Sequence, residues 1–242
     1  MWLFMALFML VHGGSHGAWC WDGCADELQR QGHGAIYFDL PGHGQDATPR
    51  AQVTLESYAR LIRQKLEEVS PKRPVVVGHS LAGVGLAEAL SCENESVRQL
   101  ILVAGLVLKP GERAIDRIPE SRRPSYFELA EASNDRSFAL SSEVTARVFF
   151  NDLTDKQARY FHSRLTPQPL SVYLKEIQFD LASLSCPKSY LSCARDNCLG
   201  LDDSLFYAER LGGSSSVVDA GHDVMLSSPK LLAQKLIDLL HA

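Results

Sequence analysis

Short, uninterrupted runs of apolar residues recur along this chain of 242 residues, and segments with helical spacing separate them. Strands that are apolar at every position are buried on both faces, and strands that alternate with helices pair in parallel. The predicted strands are 4–11, 35–39, the run before Ser80, 99–105, 188–193 and 216–221. This alternation predicts an α/β fold with a mostly parallel central sheet that carries helices on both faces.

The segment after Thr54 has a clear helical pattern. Its apolar residues recur at steps of three or four, which places them on one helix face: Leu55, Tyr58, Ile62, Leu66 and Val69. We predict that Thr54 caps this helix and that Ser70-Pro71 ends it. Helices are also predicted over 22–31 and, with Pro229 at its first position, from 229 to 240.

The strand–helix rhythm stops after Gly105. Residues 107–180 contain helical patches and several prolines, but they show no clear buried strand. We therefore predict a core built from 1–106 and 181–242, and an insertion over 107–180 that forms a cap above one edge of the sheet.

Composition excludes several classes of partner and compartment. The net charge of −5 argues against a nucleic-acid partner or an anionic membrane surface. The apolar start, MWLFMALFML, lacks the basic region and cleavage site of a signal peptide and is too short to span a bilayer, so we predict a buried first strand. Six cysteines without zinc-ligand spacing predict mostly buried thiols in a reducing, cytoplasmic compartment.

The stretch VVVGHSLAG, 75–83, is close to the G-x-S-x-G pattern of a nucleophile elbow. An elbow presents a serine at the carboxyl end of a strand, and small neighbours let the following helix pack closely. Ala82 stands where many elbows have glycine, and Gly83 follows it. We interpret Ala82 as a conservative departure and Ser80 as the candidate nucleophile; the alternative is an ordinary serine in a solvated turn.

A serine nucleophile needs a base, and an acid that orients the base. His222 follows the predicted strand 216–221 and precedes the terminal helix, which fits the base. The acid should come between nucleophile and base in the chain. Asp196, just past the strand 188–193, is the leading candidate. Asp202 and Asp203 are its rivals, although both resemble the N-cap of the next helix.

The oxyanion formed after attack needs two backbone N–H donors. One should belong to Leu81, the residue after the nucleophile, and the other to the glycine-rich loop after the first strand, HGGSHG. Such a loop could instead cradle a phosphate, but the chain contains neither G-x-G-x-x-G nor G-K-[ST].

Four histidines, His12, His16, His33 and His43, raise the question of a metal site. His12 and His16 are four residues apart, but the glycines between them forbid a helix that would present both to one ion. We therefore predict no metal, and expect these side chains to be structural or exposed on loops.

Four segments together resemble the α/β-hydrolase fold, and more narrowly the group of plant methylesterases, plant hydroxynitrile lyases and related bacterial esterases: LVHGGSHGAWCW (10–21), VGHSLAG (77–83), 149–169 and GHDVMLSSP (221–229). Carried over by position, the resemblance implies Ser80 as nucleophile, His222 as base and Asp196 as acid. It also implies that Gly14 supplies the second oxyanion N–H.

The same resemblance separates esterases from lyases. The plant lyases carry a threonine at the position of Gly13, and a lysine that holds cyanide just after the catalytic histidine. Here that second position is Asp223, whose negative charge would repel cyanide. The esterase is therefore the leading expectation over the lyase.

We expect a serine esterase that cleaves small or medium carboxylic esters through an acyl-enzyme, with a small-molecule ester as its partner and no cofactor implied. The alternatives are a ligand-binding protein on the same fold with weak hydrolysis, and a hydrolase of lactones or amides. Aromatic residues of the cap should either line the pocket or form the cap's own core: Tyr126, Phe127, Phe149 and Phe150. The oligomeric state, including a homodimer, stays open.

Overall fold

The structure is a computed structural model, and it describes residues 5–91 and 96–240. The predicted first strand begins at residue 4, which, like Cys92, lies outside the described residues. The strands are β1 Leu7–Val11, β2 Gly34–Tyr37, β3 Val75–His79, β4 Gln99–Val103, β5 Ser137–Phe138, β6 Gln168–Pro169, β7 Lys188–Cys193 and β8 Ser214–Val218.

The helices, which include two short ones of four or five residues, alternate with these strands as predicted in the first and last thirds of the chain. They are α1 Asp22–Arg30, α2 Leu55–Val69, α3 Ala82–Leu90, α4 Arg123–Glu131, α5 Ser142–Val148, α6 Asp155–His162, α7 Leu170–Leu174, α8 Leu201–Leu211, α9 Val224–Ser227 and α10 Pro229–Asp238. Within 5–91 and 96–240, no helix has both the length and the apolar composition needed to cross a bilayer.

The central sheet has six strands in the order β2-β1-β3-β4-β7-β8, and every neighbouring pair is parallel. The predicted fold class is therefore confirmed. Because the strands are parallel, their carboxyl ends lie at one edge of the sheet, where ligands of open α/β sheets bind. The register places Val11 beside Gly78 and His79 beside Val103 at that edge.

Both faces of the sheet are covered, which explains the uninterrupted apolar strands. Val76 of β3 packs in a cluster with residues of α2 and α3. Its neighbours Val75 and Val77 pack in a second cluster with residues of α1 and α10 on the opposite face. Successive side chains of a strand point to opposite faces, so a strand covered on both sides needs apolar residues throughout.

The predicted N-cap of α2 is confirmed. The Ser57 N–H donates to Thr54 Oγ1 at 3.2 Å, and the Thr54 N–H donates to Ser57 Oγ at 3.1 Å, which together form a capping box. The helix ends at Val69, and a 3-10 turn over Ser70–Lys72 follows it.

The last strand was misplaced by the sequence pattern. β8 covers Ser214–Val218, whereas the apolar run predicted 216–221. It is an edge strand on which half-buried and exposed residues alternate before the buried Val218, so its three serines gave no apolar run in the sequence. Residues 219–221 form the loop that leads to His222, and the terminal helix ends at Asp238 rather than Leu240.

The chain between β4 and β7 leaves the central sheet, and β4 and β7 pair directly with each other. This segment contains α4 to α7 and the antiparallel pair β5–β6, whose strands of two residues are too short to show periodicity in the sequence. It has a small apolar cluster of its own: Ile115, Ala130, Phe138 and Leu170. The division into a core of 1–106 with 181–242 and a cap over 107–180 stays a prediction.

Candidate active site

Four loops meet at the carboxyl edge of the sheet. Residues 12–16 follow β1, Ser80 follows β3, Asp196 lies just beyond β7, and His222 lies beyond β8. Ser80 and His222 are 142 residues apart in the chain, and the parallel topology brings their strand ends together.

Ser80 occupies the tight turn between β3 and α3. Its φ is +53°, in the left-handed region that residues other than glycine rarely adopt. The Ser80 N–H donates to the Val103 carbonyl at 3.2 Å, and the Ser80 carbonyl accepts from Gly83 at 3.2 Å and Leu106 at 3.0 Å. These three bonds hold the strained backbone, and such strain is characteristic of functional turns.

Gly83, rather than position 82, is where this elbow requires glycine. A Cβ placed on Gly83 would lie 2.1 Å from the Leu106 carbonyl oxygen, a backbone atom that cannot move freely. Gly78 is also tightly packed, since a Cβ there would meet Leu86 Cδ1 at 2.4 Å. The methyl group of Ala82 is buried without such a contact, so the structure agrees with Ala82 being a conservative departure.

Substitutions of the small residues at 82 and 83 should differ in their effect on activity and stability. Ala82→Gly should change kcat/KM less than tenfold and lower the free energy of unfolding by about 0.5–1 kcal/mol, because glycine in a helix is less favourable than alanine. Gly83→Ala should cost about 1–3 kcal/mol through overpacking, and should disturb Ser80. Urea unfolding and ester turnover measure both; a tenfold rate change in Ala82→Gly would mean that its methyl shapes the turn.

A continuous chain of hydrogen bonds joins the three predicted polar residues. His222 Nε2 lies 3.0 Å from Ser80 Oγ, and His222 Nδ1 lies 2.7 Å from Asp196 Oδ2. The other carboxylate oxygen of Asp196 accepts from the N–H groups of Cys198 at 2.7 Å and Leu199 at 2.9 Å. The imidazole therefore has a fixed orientation, with one nitrogen toward the serine.

The surroundings of these hydrogen-bonded side chains favour an ionised Asp196 beside His222. Burial alone would raise the pKa of Asp196, but His222 and the two backbone donors outweigh it and lower the pKa. For His222, burial alone would lower the pKa, whereas the Asp196 carboxylate and the Cys198 side chain outweigh burial and raise the pKa well above its usual value.

Asp202 and Asp203, the alternative candidates for the acid, do not contact His222. Asp202 and Asp203 are exposed in the first turn of α8, and Gly200 occupies its N-cap position. The expectation that these aspartates cap the helix is therefore wrong. The helix begins at Leu201, earlier than the sequence pattern indicated, because Gly200 with φ +81° allows the chain to turn there.

The Gly13–Gly14 peptide is oriented by His12. Burial lowers the pKa of His12 to about 4, so the ring is neutral. Its Nε2 accepts the Leu40 N–H at 3.0 Å, so Nδ1 carries the proton and donates to the Gly13 carbonyl at 2.8 Å. In a trans peptide the C=O and N–H point in opposite directions. The Gly14 N–H therefore points away from His12. Among the described residues, neither the Gly14 N–H nor the Leu81 N–H donates to a protein group.

The next peptide in the loop is held by the buried side chains of His16 and Asp223. His16 Nδ1 lies 2.8 Å from the Gly14 carbonyl oxygen, and His16 Nε2 lies 2.8 Å from Asp223 Oδ2. The Ser15 N–H donates to Gln168 Oε1 at 3.0 Å from the other side. Sequence reasoning missed this support, since 207 residues separate His16 from Asp223 and no local pattern joins them.

All four histidines considered as metal ligands are buried, so the expectation of exposure is wrong and the structural alternative holds. His43, for example, contacts Tyr58 OH at 2.6 Å and Thr166 Oγ1 at 2.8 Å. Among residues 5–91 and 96–240, His79, His222 and Asp223 bring possible ligand atoms within 4.8 Å of one another. Most of these atoms already have partners in the chain. His79 Nε2 lies 3.0 Å from the His222 carbonyl oxygen, and Asp223 Oδ2 lies 2.8 Å from His16 Nε2. The two His222 nitrogens contact Ser80 and Asp196, whereas His79 Nδ1 and Asp223 Oδ1 have no hydrogen-bond partner among the described residues.

A cavity of about 600 Å³ opens onto Ser80, His222 and Gly14, a size typical of small-molecule sites. Tyr126 and Phe149 line it, and Phe149 stacks on His222 with ring centroids 5.7 Å apart. The other two aromatics considered do not: Phe150 is buried in the protein, and Phe127 is exposed.

Comparison with known proteins shows the family of this chain. A profile described as the alpha/beta hydrolase family matches residues 8–235. The chain is 29% identical to the carbendazim hydrolyzing esterase of Nocardioides sp. (strain SG-4G), over 97% of this chain and all of that protein. It is 31% identical to methylesterase 18 of Arabidopsis thaliana, over 95% of each.

Among solved structures, an extracellular α/β-hydrolase from a Paenibacillus species superposes with a TM-score of 0.90. That alignment covers 97% of this chain and 98% of the other, at 22% sequence identity, so the likeness concerns the fold. The family profile runs from the first strand of the central sheet into the terminal helix, and this chain belongs to the α/β hydrolase family.

Proposed function

We propose that this chain is a serine esterase that hydrolyses small or medium carboxylic esters through an acyl-enzyme. The observation that carries the proposal is the Ser80–His222–Asp196 chain of hydrogen bonds, which ends at a serine exposed to the cavity. The two relatives named esterase and methylesterase add support, since both align along nearly the whole chain.

In the first half-reaction, Ser80 Oγ attacks the ester carbonyl carbon and its proton passes to His222 Nε2. The carbonyl π electrons move to oxygen, and the N–H groups of Gly14 and Leu81 stabilise this oxyanion. When the intermediate collapses, the bond to the alcohol oxygen breaks and His222 returns its proton to the leaving alcohol. The acyl group remains on Ser80.

In the second half-reaction, water replaces the alcohol in the cavity. His222 takes a proton from the water as its oxygen attacks the acyl carbon, and the same two N–H groups hold the second oxyanion. Collapse breaks the bond to Ser80 and returns the proton to Oγ, which releases the carboxylic acid. Throughout, Asp196 keeps the imidazole in one tautomer and stabilises the imidazolium.

A hydroxynitrile lyase fits these residues poorly. A Cβ on Gly13, where the plant lyases have threonine, would lie 2.9 Å from Ser80 Cβ and 3.0 Å from the His79 carbonyl oxygen. The lyases' lysine position is taken by Asp223, which is fully buried, paired with His16 and absent from the cavity wall. Asp223 therefore disfavours a lyase because it supplies no cation to the cavity, and not by repelling cyanide directly.

Labelling with a fluorophosphonate probe, followed by a panel of methyl esters of increasing acid length, tests the proposal. We expect one phosphonylated serine and turnover that falls when the acid outgrows the cavity. A chain that binds esters but is neither labelled nor active would be the ligand-binding protein considered as an alternative. Faster turnover of lactones or amides than of every ester would identify another acyl bond as the substrate.

The pH dependence of kcat/KM should follow His222, which must be neutral to accept the Ser80 proton. Because the pKa of His222 is raised, activity should increase with pH along a limb whose midpoint lies above the ordinary histidine value of about 6.5. A rate profile on a neutral ester between about pH 5 and 10 measures it. A midpoint at or below the ordinary value would contradict the dominant influence of Asp196.

The compartment and the assembly stay predictions. A reducing, cytoplasmic environment is supported by the cysteines within 5–91 and 96–240, which are all free thiols. Four of them are buried as expected, whereas Cys198 is exposed and lines the cavity. Sedimentation would decide between a monomer and a homodimer.

A further inference from the structure

Three arginines of segment 107–180 line the cavity that contains Ser80: Arg117, Arg122 and Arg147. The reacting groups Ser80 and His222 come from the other part of the chain. The same cavity is also lined by apolar side chains such as Ile118, Val144 and Phe149. The cavity therefore combines a nucleophile, an apolar stretch and guanidinium groups contributed by a separate segment.

Two of these arginines have no ion-pair partner among the described residues. Arg117 lies 3.5 Å from Glu112, which also pairs with Arg210. Arg122 and Arg147 are exposed, and no carboxylate of residues 5–91 and 96–240 lies within ion-pair distance of either. The backbone carbonyls of Arg122 and Arg147 accept hydrogen bonds from Ser125 and Asn197. The guanidinium groups themselves donate no hydrogen bond to the described residues, so they are available to a ligand.

The cavity wall is also free of acidic residues. No aspartate or glutamate is among the described residues that line it, although the chain has 29 acidic residues against 24 lysines and arginines. The charged side chains that line the cavity are therefore arginines, although the protein as a whole is acidic. A cleft lined by one sign of charge concentrates ligands of the other sign.

We propose that the substrate is an ester with a second, anionic group, such as a half-ester of a dicarboxylic acid, whose carboxylate is bound by Arg122 and Arg147. This inference rests on the proposed esterase function and specifies its substrate class. Guanidinium groups bind carboxylates through paired N–H donors. The apolar wall would contact the spacer between the carboxylate and the ester carbonyl.

Matched substrates that differ only in terminal charge test the proposal. Monomethyl succinate, adipate and suberate carry a carboxylate where methyl butanoate, hexanoate and octanoate carry a methyl group. For the best spacer, we expect kcat/KM of the half-ester to exceed that of its neutral partner by about fivefold or more, since each exposed ion pair contributes up to a few-fold. Added salt should reduce this preference.

The variants Arg122→Gln/Arg147→Gln and Arg122→Glu/Arg147→Glu give a graded series. The first should lower the half-ester to neutral-ester ratio about fivefold, and the second should lower it further. Comparing each ratio with that of the wild-type protein cancels the intrinsic reactivity of the esters. Arg60→Gln is the matched control, because Arg60 is exposed on α2 and does not line the cavity; its ratio should equal the wild-type ratio.

The outcomes separate the two proposals. Turnover of the neutral esters without a preference for any half-ester, or with a ratio that the double variants leave within twofold of wild type, would overturn the anion site and leave the esterase standing. Failure to hydrolyse any ester, together with failure of the fluorophosphonate to label Ser80, would overturn both.

Discussion

Ser80→Ala is expected to lower kcat on any accepted ester by a factor on the order of 10⁶, as loss of the nucleophile does in serine hydrolases. The Oγ is the atom that would form the acyl bond, and it lies 3.0 Å from the nitrogen that would take its proton. A residual rate should remain, because the Gly14 and Leu81 N–H groups would still stabilise an oxyanion formed by water.

The variant should remain folded. The substituted alanine would keep the backbone bonds to Val103, Gly83 and Leu106, so the circular dichroism spectrum should match that of the wild-type protein. Ser163→Ala, at an exposed position at the end of α6, is the matched control and should keep full activity. Retention of more than a few per cent of activity by Ser80→Ala would show that another residue is the nucleophile.

Asp196→Asn is expected to lower kcat by at least about 10², since the equivalent change in a trypsin-like serine protease lowers kcat by about 10⁴. The amide keeps the shape of the carboxylate but can present an N–H to His222 Nδ1, which favours the wrong tautomer. Removal of the negative charge also removes the main influence that raises the pKa of His222. The acidic limb of the pH–rate profile should therefore move to lower pH in this variant, a readout that a purely structural defect would not give.

Asp202→Asn and Asp203→Asn are the matched controls. Both side chains are exposed in the first turn of α8, where the loss of one charge weakens only a favourable interaction with the helix dipole. Each should reduce kcat less than about tenfold when assayed on the same ester at saturation. If either control were crippled while Asp196→Asn stayed active, the acid would be misassigned despite the 2.7 Å contact with His222.

The sequence was informative wherever one local pattern decides the structure. The apolar run Val75–Val77 predicted a strand buried on both faces, and the small residues Ala82 and Gly83 predicted a closely packed helix after Ser80. Thr54 and Ser57 formed their capping box because both partners lie within one turn. The same locality placed Ser80, Asp196 and His222 at strand ends.

Local patterns failed at the sheet edge and at the start of α8. On β8, two of the five residues are exposed and the first three are serines, so the sequence pattern predicts a strand that begins two residues after the observed start. Gly200 began α8 ahead of the two aspartates that looked like its cap. In both places the deciding feature, an exposed strand face or a positive φ, has no unique sequence signature.

The sequence by itself determined the α/β class and predicted Ser80, Asp196 and His222 as polar residues just beyond strands, because each prediction depends on neighbours a few positions away. Only the tertiary structure decided how the loop after β1 is held and which charged side chains line the cavity. Asp223 contacts His16, which is 207 residues away in the chain. Arg117, Arg122 and Arg147 line the same cavity as Ser80. These pairings depend on how the loops and the segment 107–180 pack over the sheet, and packing between distant segments leaves no periodicity in the chain.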